Sequence, residues 1–184
     1  MSNTKTLKDY LCQLLSNSNN TLVGNNDDDI KEAFDKTVLE TNRIGYLIIS
    51  GFKLSKKIAK KIGVYNKLLL LVSKGKIKAI AINHTINSEQ FVGVIKKAAK
   101  SPEAIIYDCK RNSYQFYIDY NNDFYRVVIE FDVIPIGMKC VKANILVTLF
   151  KNEYYKKRIK GILEGRFPDL SIKYKKEWLG INCY

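Results

Sequence analysis

A single histidine and four scattered cysteines leave this chain of 184 residues little material for a metal centre. Cys12, Cys109, Cys140 and Cys183 form no CxxC pair, so a zinc site would need four distant residues to converge. Reduced, mostly buried thiols are the expectation, with no metal and no cofactor. Long apolar runs are also missing. None reaches the roughly 18 residues that span a bilayer, and Leu68 to Val72 reads as a buried element rather than an anchor, so no membrane association is expected. The opening stretch, Met1 to Leu7, is polar and lacks a basic cap before an apolar run. No signal peptide is expected there, and residence in a cytoplasm is. HExxH and a glycine-rich phosphate loop are both absent, which removes the common signatures of zinc hydrolysis and nucleotide binding.

Acids are scarce too. There are 18 Asp and Glu against 31 Lys and Arg, a net charge of +13. The imbalance is uneven: residues 1–50 carry five bases and seven acids, whereas residues 51–184 carry 26 bases and 11 acids. Such asymmetry suggests a near-neutral leader, 1–50, in front of a basic working domain, 51–165, with a tail, 166–184, that packs back onto it. Basicity at this level favours association with nucleic acid or an anionic membrane surface.

Periodicity gives a coarse layout. Leu7, Leu11, Leu14 and Leu15 have helical spacing, and a second helix is expected over about 29–41 behind the Asp27–Asp29 loop. Gly45 to Ser50 fits a strand or a buried helix end. Ser55 and Gly63 bracket a short helix, 67–72 reads as a buried strand, and 74–83 as a helix or a strand after a turn. Ser88 is expected to cap the clearest helix, with Phe91, Ile95, Ala98 and Ala99 on one face and Pro102 beyond its end. From Glu103 the period falls from 3.6 to 2, predicting strands at 104–109, 113–120, 124–132 and 139–150, then a basic helix over about 152–164. The expected fold is α+β: N-terminal helices, a four- to five-stranded antiparallel sheet and a C-terminal basic helix.

Alternation along the strands places Tyr125, Val127, Ile129 and Phe131 on one face and Arg126 and Glu130 on the other. It also sets Val141 to Leu149 in odd-numbered positions apart from Lys142, Asn144 and Thr148. Arg126, Glu130, Lys142, Asn144 and Thr148 would then share one open surface. Metal-independent RNA cleavage needs such groups: a base for the 2′-OH proton, a cation against the pentacoordinate phosphate, and an acid for the leaving oxygen. His84, in a polar loop before the Ser88 helix, is the natural proton shuttle, because histidine as a residue type exchanges protons near neutral pH. Lys110 and Arg111 in a hairpin turn, together with Lys142, Asn144 and the ring of Tyr125, are the expected nucleic-acid contacts. Strand tyrosines also serve simply as good sheet formers.

The passage His84 to Ile95, then Ser101-Pro102-Glu103-Ala104 to Asp108, resembles the histidine, capped helix, proline-acid and strand passage of phage-borne barnase–EndoU–colicin–RelE-like nucleases, the BECR group. Phe124 to Glu130 on a middle strand and Asn144 to Phe150 before a basic helix continue the likeness, which covers roughly residues 53–160. It implies a ribonuclease-type toxin or mobile-element effector, with helices before a four- or five-stranded antiparallel sheet. His84 would be the loop histidine, Arg126 the strand cation and Thr148 the last-strand hydroxyl. A cognate immunity or antitoxin protein is the partner such a domain implies. Asn83 departs from the pattern, since members often carry a basic residue there. The competing expectation is a non-catalytic nucleic-acid-binding or inhibitory module of a phage or mobile element. A third is a protein-interaction domain that uses its tyrosine faces.

Overall fold

The computed structural model describes residues 21–64, 69–133, 143–151 and 155–176. The expected helix at residues 7–15, Lys142 and the start of its strand, and three of the cysteines lie outside them. Local signals set most element ends. Helix α1 (Asp27–Leu39) starts at Asn26, whose side chain accepts from the Asp29 amide, and the acids Asp27, Asp28 and Asp29 sit where the helix dipole favours them. Helix α2 (Lys56–Ile62) is capped by Ser55 and closed by Gly63 at φ 73°, a left-handed conformation that glycine adopts without strain. Ser73 caps α3 (Lys74–His84), which settles that segment as a helix. For α4 (Ser88–Lys100) the cap is Asn87 rather than Ser88, in a capping box with Gln90. Helix α5 is Tyr155–Leu163.

The class is α+β, but the expected four- to five-stranded antiparallel sheet is not what forms. One mixed sheet of eight strands is built from β1 (Leu22–Gly24), β2 (Tyr46–Ile49), β3 (Leu70–Ser73), β4 (Ala104–Asp108), β5 (Ser113–Tyr120), β6 (Asp123–Val133), β7 (Ala143–Lys151) and β8 (Leu170–Lys175). Their order is β1-β2-β3-β7-β6-β5-β4-β8, with β1/β2 and β3/β7 parallel and the other pairs antiparallel. The antiparallel meander of β4 to β7 is present as its central part. Two segments ahead of residue 50, the strand β3 and one segment from the tail extend it. Strands β2 and β3 are almost wholly buried, so their sequences are continuous apolar runs without alternation. Their partners are set by tertiary packing and leave no local sign. The hairpin β5–β6 is local: Asn121 and Asn122 both take positive φ, the two-residue turn that suits strand twist.

One face of the sheet packs on helices α1 to α4. Phe116, Ile118, Tyr125, Val127, Ile129, Leu146 and Leu149 meet Phe34, Ile58, Ile77, Phe91 and Ile95 in the main core. The opposite face is covered in patches. Near β4 and β8, Tyr155, Ile159 and Ile162 of α5 pack on Ala104, Ile106 and Tyr117. Near β2 and β3, Ile48, Leu71 and Ala143 form a small separate cluster. Between these patches the face turns polar, and there the sheet is hollowed. Among the described residues no helix is long and apolar enough to cross a membrane.

The Tyr155 hydroxyl is buried and has no hydrogen-bond partner among the described residues. Burial, reinforced by Glu103 and Asp119, pushes its pKa up to about 12. Tyr155→Phe removes the unsatisfied group and keeps the ring, so a gain of about 1 kcal/mol is expected. Urea unfolding measures it, and a clear loss would show that the hydroxyl has a partner in solution.

Candidate functional site

The polar part of the sheet floors a cavity of about 490 Å³, lined from β4, β5, β6, β7, α5 and the loop before β8. Tyr117 pairs with Arg126 and Arg126 with Phe150, while Gln115 pairs with Val128 and Val128 with Thr148. Side chains opposite one another in this way lie on one face, so Gln115, Arg126 and Thr148 come together by register alone. Gln115 is the hub. Its amide oxygen accepts from the Tyr117 hydroxyl at 3.1 Å and from Arg126 Nη1 at 3.5 Å, and its Nε2 donates to Asp108 Oδ2 at 3.3 Å. The other oxygen of Asp108 accepts from the Arg111 backbone N–H at 3.1 Å. That bond shapes the β4–β5 turn and brings Lys110 and Arg111 to the cavity, as the positive φ of Asn112 also helps to do.

Arginine is rare in this lysine-rich chain, and it is concentrated here. Of five arginines in the sequence, Arg111, Arg126, Arg158 and Arg166 all line this cavity. Arg166 pairs with Glu164. Among the described residues no carboxylate lies within 4.0 Å of the other three guanidinium groups. Nε of Arg126 and Nε of Arg158 are buried without an acceptor. Each guanidinium has five donors in a rigid fork that matches phosphate or carboxylate oxygens. Arg158 lies 5.4 Å from the Phe167 ring, which with Pro168 closes one side of the cavity.

Arg126 also links the cavity to His84. Its guanidinium carbon lies 4.2 Å from the centre of the Phe150 ring, and the His84 ring centre is 5.4 Å from that same ring. His84 ends α3, which runs beside β7 where β3 no longer pairs with it. The imidazole is therefore one aromatic ring away from Arg126 but is not part of the cavity wall.

No family model, curated protein or solved structure matches the chain. Function has to be read from these side chains and their surroundings.

Of the residues expected from sequence, Arg126, Thr148, Lys110 and Arg111 line the cavity, as does Glu130. Asn144 does not. Between Val128 and Ile129 the pairing with β7 slips by one residue, so Thr148 faces Val128 while Leu146 faces Ile129. This bulge puts Asn144 in phase with the core residue Leu146, and its side chain holds the Leu69 carbonyl at 3.1 Å and the Asp132 amide at 3.2 Å. Tyr125 points into the helix-covered core, 1% exposed, with its hydroxyl bonded to Gln90 and Asp123, so its ring offers no stacking face. Lys142 lies outside the described residues. Cys109, against the expectation of buried thiols, is exposed. Asp108, Ser113, Gln115, Arg158 and Arg166 were not foreseen; the one sequence signal for the last two is how seldom this chain uses arginine.

Proposed function

We propose that the arginine-lined cavity binds the phosphodiester backbone of RNA and that the protein is a metal-independent ribonuclease acting in a cytoplasm. The carrying observation is that Arg111, Arg126 and Arg158 converge on one nucleotide-sized cavity with donors unmatched by any carboxylate in reach. Arg126 and Arg158 are half-buried and Arg111 is exposed. Like charges gathered without a counter-ion repel one another, and a ligand that brings negative charge relieves that cost. In this reading the 2′-oxygen attacks phosphorus, the P–O5′ bond breaks, and a 2′,3′-cyclic phosphate and a 5′-hydroxyl result. Arg126 and Arg158 neutralise the pentacoordinate phosphate, and the Thr148 hydroxyl donates to one of its oxygens. Glu130 on the cavity wall and His84 beyond Phe150 are the groups that could take and return the proton. A cognate inhibitor would be an acidic protein able to fill this cavity.

The test is RNA degradation in excess EDTA, with products resolved for cyclic phosphate ends. Wild-type protein is expected to cleave, and His84→Ala to cleave at least tenfold more slowly. Equal rates would remove His84 and leave Glu130 as the proton-transfer group. A second reading, binding without cleavage, is favoured by one observation: the only histidine stands outside the cavity wall. Steeply salt-dependent RNA binding with no product over hours would decide for it.

A further inference from the structure

A second basic surface lies along the outer strand of the sheet. Lys57 and Lys61, one turn apart on α2, face Lys173, Tyr174 and Lys175 of β8 across a shallow depression of about 350 Å³, and among the described residues no acid lines it. Some lysines elsewhere meet carboxylates: Lys31 with Glu89 at 2.8 Å, Lys96 with Asp27 at 2.6 Å, Lys151 with Asp123 at 2.8 Å. Lys57 and Lys173 instead lie over aromatic rings, Lys57 at 5.8 Å from the Tyr174 centroid and Lys173 at 5.3 Å from that of Tyr107. Like charges at i and i+4 oppose each other on a helix, so this arrangement is unfavourable until something anionic covers it. Strand β8 lies between the two regions, which sit on opposite faces of the sheet. Leu170, at its start, lines the arginine cavity on the α5 face, and Lys173 to Lys175 line the depression on the α2 face, so a chain joining them passes around this edge strand. Five strand residues span about 16 Å, a length that a chain can bridge and a single small anion cannot.

We infer that this lysine ridge is a track for single-stranded RNA entering or leaving the cavity, with Lys57, Lys61 and Lys173 on phosphates and the half-buried ring of Tyr174 available to a base. The inference rests on the cavity being an RNA site. Edge position and ring contacts favour a single strand, because stacking on a partly exposed aromatic needs an unpaired base.

The experiment uses the full chain and 2′-O-methyl RNA, which lacks the 2′ nucleophile and so survives: a 20-mer and a trinucleotide, titrated over a range of sodium chloride. Wild-type protein and the combined variant Lys57→Gln, Lys61→Gln, Lys173→Gln are compared. For the 20-mer the variant's plot of log affinity against log salt is expected to be shallower by about 2, at roughly 0.7 per phosphate contact on single strands. Trinucleotide binding is expected to stay the same. An unchanged slope for the 20-mer overturns the track while leaving the cavity reading intact. The same slope with new dimers or aggregates would show that these lysines guard an edge strand instead. Wild-type protein that binds neither oligonucleotide overturns the RNA reading and the track with it.

Discussion

Replacing Arg126 with methionine is expected to leave the protein at least as stable as before while RNA cleavage in chelator falls by about 10²–10³-fold. These two outcomes rarely coincide, and the surroundings of Arg126 say why they should here. Its guanidinium is held by one 3.5 Å contact to Gln115 Oε1 and by the Phe150 ring, and its Nε is buried without an acceptor. Removing a cation that has a carboxylate partner strands the partner; no such partner is in reach here. Gln115 keeps the Tyr117 hydroxyl as a donor at 3.1 Å, so no acceptor is orphaned either. Methionine still covers Phe150 and makes favourable sulfur contacts with the ring, which offsets the lost cation–π term of about 0.5–1 kcal/mol. The desolvation cost of the charge then disappears. A site held ready for a charged ligand sacrifices stability in this way. Urea midpoints and initial rates on the same preparations test it. A loss of 2 kcal/mol or more with unaltered cleavage would make Arg126 a structural residue and end the proposal for this cavity.

How far the sequence carried this site depended on whether the controlling interaction was local. Arg126 and Thr148 were legible because strand alternation is local and one face of β5 and β6 is strongly apolar. The same alternation failed just before Thr148, because the bulge at Val147 is fixed by how β7 fits β6 and has no glycine or proline to mark it. Asn144 was assigned to the wrong face for that reason alone. Tyr125 was placed on the apolar face by its own alternation, and burial of that face against α4 takes it out of the site. Arg158 comes from α5, whose position over β4 and β5 depends on Tyr155 and Ile159 finding Tyr117 and Ile106 some forty to fifty residues earlier. Nothing within a helix-length window reports that. The parallel pairings β1/β2 and β3/β7 were invisible on the same grounds, and with them the width of the sheet. Caps behaved differently: Ser55, Gly63 and Ser73 act through their own backbone neighbours, and each ends or begins a helix where its chemistry predicts.

His84 is held in place by an ion pair at the far end of its helix, and breaking that pair from the acidic side is expected to cost about 3 kcal/mol. Lys74, the first residue of α3, is 2% exposed, and its ammonium donates to Glu40 Oε2 at 2.6 Å. Glu40 is the residue that ends α1, so the pair ties α1 to the β3–α3 junction. Hydrogen bonding to Lys74, with the attraction of its charge, holds the Glu40 carboxyl below the usual carboxylate range against a smaller opposing effect of burial. Glu40→Gln leaves a buried ammonium without a counter-charge, whereas Lys74→Met replaces the cation by an apolar chain of similar length and frees a carboxylate that still reaches water. The first variant is expected to unfold at markedly lower urea, the second close to wild type, and the double variant to recover most of the first one's loss. Acid should act in the same direction. Because the folded-state pKa of Glu40 is depressed, the pair contributes fully above the ordinary glutamate pKa of about 4.3, and the contribution fades as pH falls towards the folded value. That part of the acid sensitivity should be missing from Lys74→Met. Cleavage by Glu40→Gln, measured well below its melting temperature, should fall less than that of His84→Ala, since Glu40 touches no substrate and acts only through where α3 carries His84. If Lys74→Met proves the more damaging change, Lys74 makes a contact that the ion pair does not describe.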